Sequence, residues 1–268
     1  MFIDFWFNIK QVYHHMILKN FIKKNSLLTI IADYFVSFMG FNFEKEYKLI
    51  NLIKKKFPVI VDIGGNRGES IKNFLRYEEN IKIFCFEPKK KSFYYIKKKY
   101  KKKNIKIFNF GIGTKIQSDI LYTPTINGYE FSGLSSTDFK NLKFRLNFFF
   151  NKINRKFKLI KEKIKIQKLD NFYLKPDLIK IDTEGSELDV IKSSLKTIKK
   201  YKPLIIVEYN HITFLNIKKI LIKFDYKCYI YEKNNFKLIN KKIIDEISKR
   251  TNLTNIIFAK KGLKLNFN

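Results

Sequence analysis

Along this chain, apolar residues gather in short runs separated by polar, lysine-rich stretches. Runs rich in Ile, Val and Phe, bounded by Pro, Gly or Asn, mark strands buried on both faces. They predict strands near 58–63, 81–87, 105–109, 177–182, 204–208, 226–231 and 254–260. Between them the apolar spacing lengthens, which predicts helices near 68–78, 89–102, 185–199 and 212–224. Pro58, Pro176 and Pro203 precede strands and Pro88 follows one. Strands alternating with helices predict an α/β domain with helices on both faces of a mostly parallel sheet.

Two segments stand outside that alternation. Residues 1–56 read as a helical extension, with Phe2, Phe5, Trp6 and Tyr13 at roughly helical spacing. Such a face covers the domain, joins two copies as a dimer, or lies on a membrane surface. An insertion of about 114–176 parts the third and fourth strands. It carries the hairpin signal Asn127-Gly128, the small-residue segment Gly133–Thr137 and a strand-like stretch at 164–169. Its aromatic, basic run Phe144–Phe150 suits a lid, a membrane-touching patch or a packed helix face. Insertions of this kind often carry substrate recognition.

Glycine is scarce, with 10 in the chain, so its placement is informative. Gly64, Gly65 and Gly68 follow the first apolar run, Gly111 and Gly113 the third, and Gly185 the fourth. All therefore sit past the carboxyl ends of expected parallel strands, the edge at which open α/β sheets bind ligands. The first run closes on Asp62 and the second on Glu87-Pro88, about 20 residues past the glycines. A carboxylate there is placed to hold a ribose hydroxyl pair. The loop Gly64-Gly65-Asn66-Arg67-Gly68 fits neither the dinucleotide fingerprint nor a P-loop. Asp62 before the glycines would repel phosphates, so it favours a cofactor without phosphate and with a cationic end. S-adenosylmethionine has a ribose, a sulfonium and an ammonium, and meets those terms. The candidate cofactor residues are Asp62, Gly64, Gly65, Asn66, Gly68, Glu87, Pro88, Asn109 and Gly111.

The segments Asp62–Gly68, Phe86-Glu87-Pro88, Leu169-Asp170, Ile179–Leu188 and Lys202–Glu208 occur in that order. This succession resembles the FkbM-type S-adenosylmethionine-dependent methyltransferases, from about Val59 to about Tyr209. Lys180-Ile181-Asp182-Thr183-Glu184-Gly185 is its most specific part. Gly65 departs from it, Ala being more usual before the Asn. The resemblance implies a Rossmann-like class I methyltransferase domain over 57–268, with a mostly parallel seven-stranded sheet. It also implies a hydroxyl acceptor on a sugar, surface polysaccharide, glycolipid or related small molecule. An N-methyltransferase on an amino sugar, an RNA methyltransferase and a non-catalytic scaffold are the alternatives. Candidate catalytic residues follow the fourth and fifth strands: Asp182, Glu184, Glu208 and His211. Their roles include proton acceptance and acceptor orientation. A divalent metal is not indicated, although carboxylates clustered at this edge can hold magnesium.

Net charge then adds one question. The chain carries +31, which attracts polyanions in general. It is also rich in Lys, Ile, Asn, Phe and Tyr and poor in Arg and Ala, a compositional bias that supplies charge without a partner. No zinc-finger spacing, RNP-like motif or basic zipper is visible, so no specific nucleic acid is expected. Peripheral contact with an anionic membrane stays open, as does the oligomeric state. Cys85 and Cys228 lie in apolar runs, far from any Cys/His cluster, and read as buried thiols. Asp4 stands where a secretory signal has its positive region, and no apolar stretch is a comfortable span. A cytoplasmic protein is expected.

Overall fold

The computed structural model describes residues 45–126, 128–140, 142, 143, 146, 157–232, 235–240, 255–263 and 265. Phe2, Phe5, Trp6, Tyr13 and most of the run Phe144–Phe150 lie outside them.

The seven expected strands all form: β1 (Val59–Ile63), β2 (Lys82–Phe86), β3 (Ile105–Phe108), β8 (Leu178–Ile181), β9 (Leu204–Glu208), β10 (Tyr226–Glu232) and β12 (Asn255–Lys260). An eighth strand, β11 (Asn235–Leu238), joins them by pairing antiparallel with β10. The sheet order is β11-β10-β12-β9-β8-β1-β2-β3. Pairing is parallel from β3 to β9 and antiparallel at β9–β12, β12–β10 and β10–β11. The sheet is therefore mixed and eight-stranded, a correction to the mostly parallel seven-stranded expectation. β11 escaped because its Asn-Phe-Lys-Leu sequence is that of an exposed edge strand, which buries too little to show an apolar run.

Alternating side chains divide the core into two layers. Val61, Ile63, Ile179, Ile181, Ile205 and Val207 face α3 (Glu187–Ser193), α4 (Leu195–Tyr201) and α5 (Phe214–Ile222). Ile60, Ile83, Cys85, Leu178 and Ile206 face the opposite side. There they meet α1 (Glu69–Tyr77), α2 (Lys90–Lys99) and a 3-10 turn at Lys45–Leu52, which buries Tyr47, Leu49 and Ile50. Helices thus lie on both faces.

The helix expected at 185–199 is two helices broken at Ser194. The hydroxyls of Ser193 and Ser194 both donate to the Val190 carbonyl, competing with the helical ladder. The Asp170 carboxylate then accepts the N–H groups of Lys196 and Thr197 and caps the second helix. The Leu169-Asp170 motif has a structural use here.

The insertion builds a second sheet, ordered β4-β7-β5-β6, from Gly111–Ile112, Lys158–Gln167, Gln117–Ile126 and Tyr129–Glu130. β5 and β7 run antiparallel, and β5 turns into β6 at the expected hairpin, with Gly128 at φ 81°. The strand expected at 164–169 is the end of the longer β7. Cys85 and Cys228 are buried free thiols.

Candidate functional site

The carboxyl ends of β1, β2, β8 and β9 face the insertion sheet across a cleft with about 200 Å3 of open volume. One wall holds Gly64, Asn66, Glu87, Pro88, Asp182, Glu184 and Glu208. The other includes Leu121, Ile164 and Ile166 and, from the small-residue segment, Ser132, Gly133, Ser135 and Thr137.

Glu87 is buried at the end of β2. One carboxylate oxygen accepts the Asn66 N–H at 2.7 Å and the other the Lys89 N–H at 2.8 Å. Each oxygen keeps a lone pair for a further donor, and the residue lines the cleft. Burial raises its pKa to about 7, while the two backbone hydrogen bonds pull it down. Asn66 sits at φ 43°, the left-handed region that Asn tolerates better than most residues.

Asp62 is fully buried on the opposite layer and does not line the cleft. It lies between Cys85 of β2 and Lys180 of β8 in the pairing register. Its Oδ2 accepts from Ser70, while its Oδ1 accepts no hydrogen bond. Burial raises its pKa and Lys180 opposes the rise. The buried Lys180 ammonium also pairs with Asp182 at 2.6 Å.

Several loop glycines also serve the frame. A Cβ on Gly64 would strike the Asp182 carbonyl, so the glycine lets the end of β8 approach the loop. One on Gly65 would strike the Cys85 sulfur, and one on Gly68 would meet the Tyr100 ring at 2.6 Å. Gly65 and Gly68 do not line the cleft, and Gly111 does so while packing on Ile166. Asn109 turns inward too: its amide donates to the carbonyls of Glu87 and Pro88 at 3.0 and 2.9 Å, fixing the β2 turn.

Three of the four candidate catalytic residues converge. Carboxylate oxygens of Asp182, Glu184 and Glu208 all lie within 4.8 Å of one another. Burial drives the Glu208 pKa well up, and Asp182 and Glu184 add to the rise against Lys180. His211 is exposed and does not line the cleft, because the chain turns outward after Asn210 to start α5. Glu184 is held at φ 55°, a conformation that costs a non-glycine residue about 1 kcal/mol or more.

Sequence reasoning missed what holds that turn. Glu187, wholly buried, accepts the Gly185 N–H at 2.8 Å and the Thr183 hydroxyl at 3.1 Å. The Ser136 hydroxyl of the insertion donates to the Glu184 carbonyl at 2.8 Å. An acid in the first turn after a glycine is the available signal for Glu187; Ser136 has none. Also missed was the aromatic floor, in which Phe86 stacks on Phe108 at 5.0 Å and meets Phe172 edge-on at 4.8 Å.

The order of the parallel strands and the cleft at their carboxyl ends define an α/β fold of the class I methyltransferase kind. Residues 62–228 match the Methyltransferase FkbM domain, and the chain belongs to that family. A solved structure, Methyltransferase FkbM from Methylobacillus flagellatus KT, superposes with a TM-score of 0.50 at 14% identity. It covers 94% of this chain but 60% of the other, and the likeness is one of fold. The 2-O-methyltransferase NoeI of Sinorhizobium fredii is 42% identical over 41 residues, which are 15% of this chain and 17% of that protein. The chain thus spans less than two thirds of either relative. Among the described residues no helix is long and apolar enough to cross a membrane.

Proposed function

We propose that this chain is an S-adenosylmethionine-dependent O-methyltransferase acting on a hydroxyl of a sugar, surface polysaccharide, glycolipid or related small molecule. The observation that carries it is one cleft with Glu87 at one end and three carboxylates at the other. The donor set suits the cofactor: Glu87 retains acceptor capacity for two hydroxyls, and the acidic lining suits a cation better than a phosphate. When bound, S-adenosylmethionine supplies an electrophilic methyl group on a sulfonium. Glu87 and Asn66 hold its ribose side, and the acid cluster stands at the acceptor side. As an acceptor hydroxyl attacks, its proton must leave. Glu208 is the fitting recipient, because a raised pKa makes a carboxylate a stronger base. Asp182, fixed by Lys180, and Glu184, fixed through Glu187, orient the hydroxyl.

A second reading of the same cluster is a divalent cation shared by the three acids, favoured by the closeness of their oxygens. The name of the NoeI relative, a 2-O-methyltransferase, supports oxygen as the methylated atom, over a short span.

Calorimetric titration with S-adenosylhomocysteine tests the cofactor. Transfer of labelled methyl groups into sugar and glycolipid acceptors tests the reaction. A protein that does not bind S-adenosylhomocysteine would sink the proposal. One that methylates only amines would replace it with the N-methyltransferase reading.

A further inference from the structure

The strongest charge concentration among the described residues lies on a segment that, apart from Phe86, Glu87, Pro88 and Lys89, stands outside the cleft. From Lys82 to Lys106 the chain carries eleven lysines and one acid, the buried Glu87. Those 25 residues hold a net +10, against +31 over all 268. A chain-wide bias spreads charge evenly, and this segment exceeds its share about threefold. α2 and β3 lie at one end of the large sheet, so the charge is local in space as well, Glu130 offsetting part of it through Lys89 and Lys91.

Its display is specific. Lys90, Lys91, Lys97, Lys98 and Lys99 are exposed on α2, and Lys101, Lys102 and Lys103 follow in the next loop. Tyr94 and Tyr95 stand among them, 65% and 50% exposed. Ile96 and Ser92 anchor the other face of the helix in the core. Lys97 lies over Phe93, and Lys99 lies over Tyr95 and Tyr100.

We infer that this face docks on an anionic lipid bilayer. Lysine clusters are drawn to acidic headgroups, and exposed tyrosines sit well at headgroup level with ring buried and hydroxyl wet. The surface is a helix flank rather than a groove, which suits a broad plane better than a strand of nucleic acid. The segment holds no arginine, the residue that forks onto phosphates and bases most specifically. Lysine gives charge without such specificity. The inference is independent of the methyl-transfer reading.

The test is co-sedimentation of the full chain with phosphatidylcholine vesicles, with and without about 30% phosphatidylserine. Binding is expected only with phosphatidylserine and should weaken as salt is raised. Changing Lys97, Lys98, Lys101 and Lys102 together to Glu should weaken it roughly tenfold or more. The same four changes at the exposed Lys192, Lys196, Lys199 and Lys200 alter net charge equally and should leave most binding intact. Should the Glu variants melt early, the matching Gln variants carry the comparison. Tyr94→Ala with Tyr95→Ala should weaken what binding survives at high salt. Equal losses from the two quadruple variants would overturn the inference, since net charge alone would explain them. It would also fall if the α2 changes abolished binding to polyuridine and left vesicle binding unchanged.

Discussion

The sulfur of Cys85 occupies the space that a side chain on Gly65 would need. The two lie on neighbouring segments, β2 and the loop after β1, and Gly65 is the departure from the family pattern. A small loop residue and a thiol beneath it thus form one packing unit, with Ile96 as its third wall.

Gly65→Ala should therefore destabilise the protein by about 1–3 kcal/mol through overpacking. Cys85→Ala removes the obstacle. In that background Gly65→Ala should cost far less, giving a coupling of about 1 kcal/mol or more in a double-mutant cycle. Chemical denaturation of the four proteins measures it. Additive costs would show that the loop moves aside and that the thiol is not the constraint.

Lys180 is a second unit of this kind, a buried ammonium beside two acids. It pairs with Asp182 and offsets the burial of Asp62. Lys180→Met should cost about 3–5 kcal/mol, because the buried Asp62 loses its counter-charge. The penalty should shrink at low pH, where Asp62, its pKa raised by burial, holds a proton. A thermal scan at two pH values reads both effects. An unchanged melting temperature would mean that Asp62 is held by Ser70 alone.

If Glu87 holds the ribose hydroxyls, it links pH to cofactor binding. Its pKa in the folded protein is about 7, above the ordinary 4.5, so the fold favours the protonated form. The stability it contributes is full below about 4.5 and is lost as pH rises through about 7. Ribose hydroxyls instead need the ionised carboxylate as acceptor. S-adenosylhomocysteine should bind more weakly as pH falls from 8 to 6, roughly tenfold if one proton is displaced. Glu87→Gln should weaken binding by about tenfold at pH 8 and flatten the profile. Calorimetry at several pH values checks this. A profile unchanged by the substitution would assign the titration to Asp62 or Glu208, whose pKa values are also raised.

These units explain how far the sequence could be read. Among the seven expected strands, β1, β8 and β9 were legible because they are buried on both faces, which leaves an unbroken apolar run. The edge strand β3 and strand β10 still keep apolar residues at alternate positions. β11 was not legible, since none of its four residues is buried. That Glu87, Asp182, Glu184 and Glu208 share one cleft was legible because they follow strand ends on one edge of the sheet. His211 followed the same strand end, yet it lies three residues past Glu208, where the backbone has already turned toward α5. Gly64 and Gly111 line the cleft while Gly65 and Gly68 pack on Cys85 and Tyr100, and the division has a physical reason. Close approach of protein backbone and close approach of ligand demand the same residue, and the sequence does not say which neighbour arrives. Asn109 is similar, its amide serving the carbonyls of Glu87 and Pro88 rather than the cleft.

The acid cluster offers the sharpest test. If Glu208 accepts the acceptor's proton, Glu208→Gln should lower turnover by about a hundredfold or more and leave S-adenosylhomocysteine affinity nearly unchanged. Asp182→Asn and Glu184→Gln should act mainly on acceptor KM. Glu187→Gln should mimic Glu184→Gln, because Glu187 fixes the turn through Gly185 and Thr183 without lining the cleft. The pH profile separates a base from a metal ligand. As a base with a raised pKa, Glu208 must lose its proton first, so turnover should rise with pH through the titration of Glu208. With a cation bound to all three acids they would be ionised already, and that limb would vanish. EDTA should then abolish activity and magnesium restore it. Full activity in EDTA together with the rising limb supports the base. Near-normal turnover in Glu208→Gln, Asp182→Asn and Glu184→Gln alike would remove the cluster from the chemistry altogether.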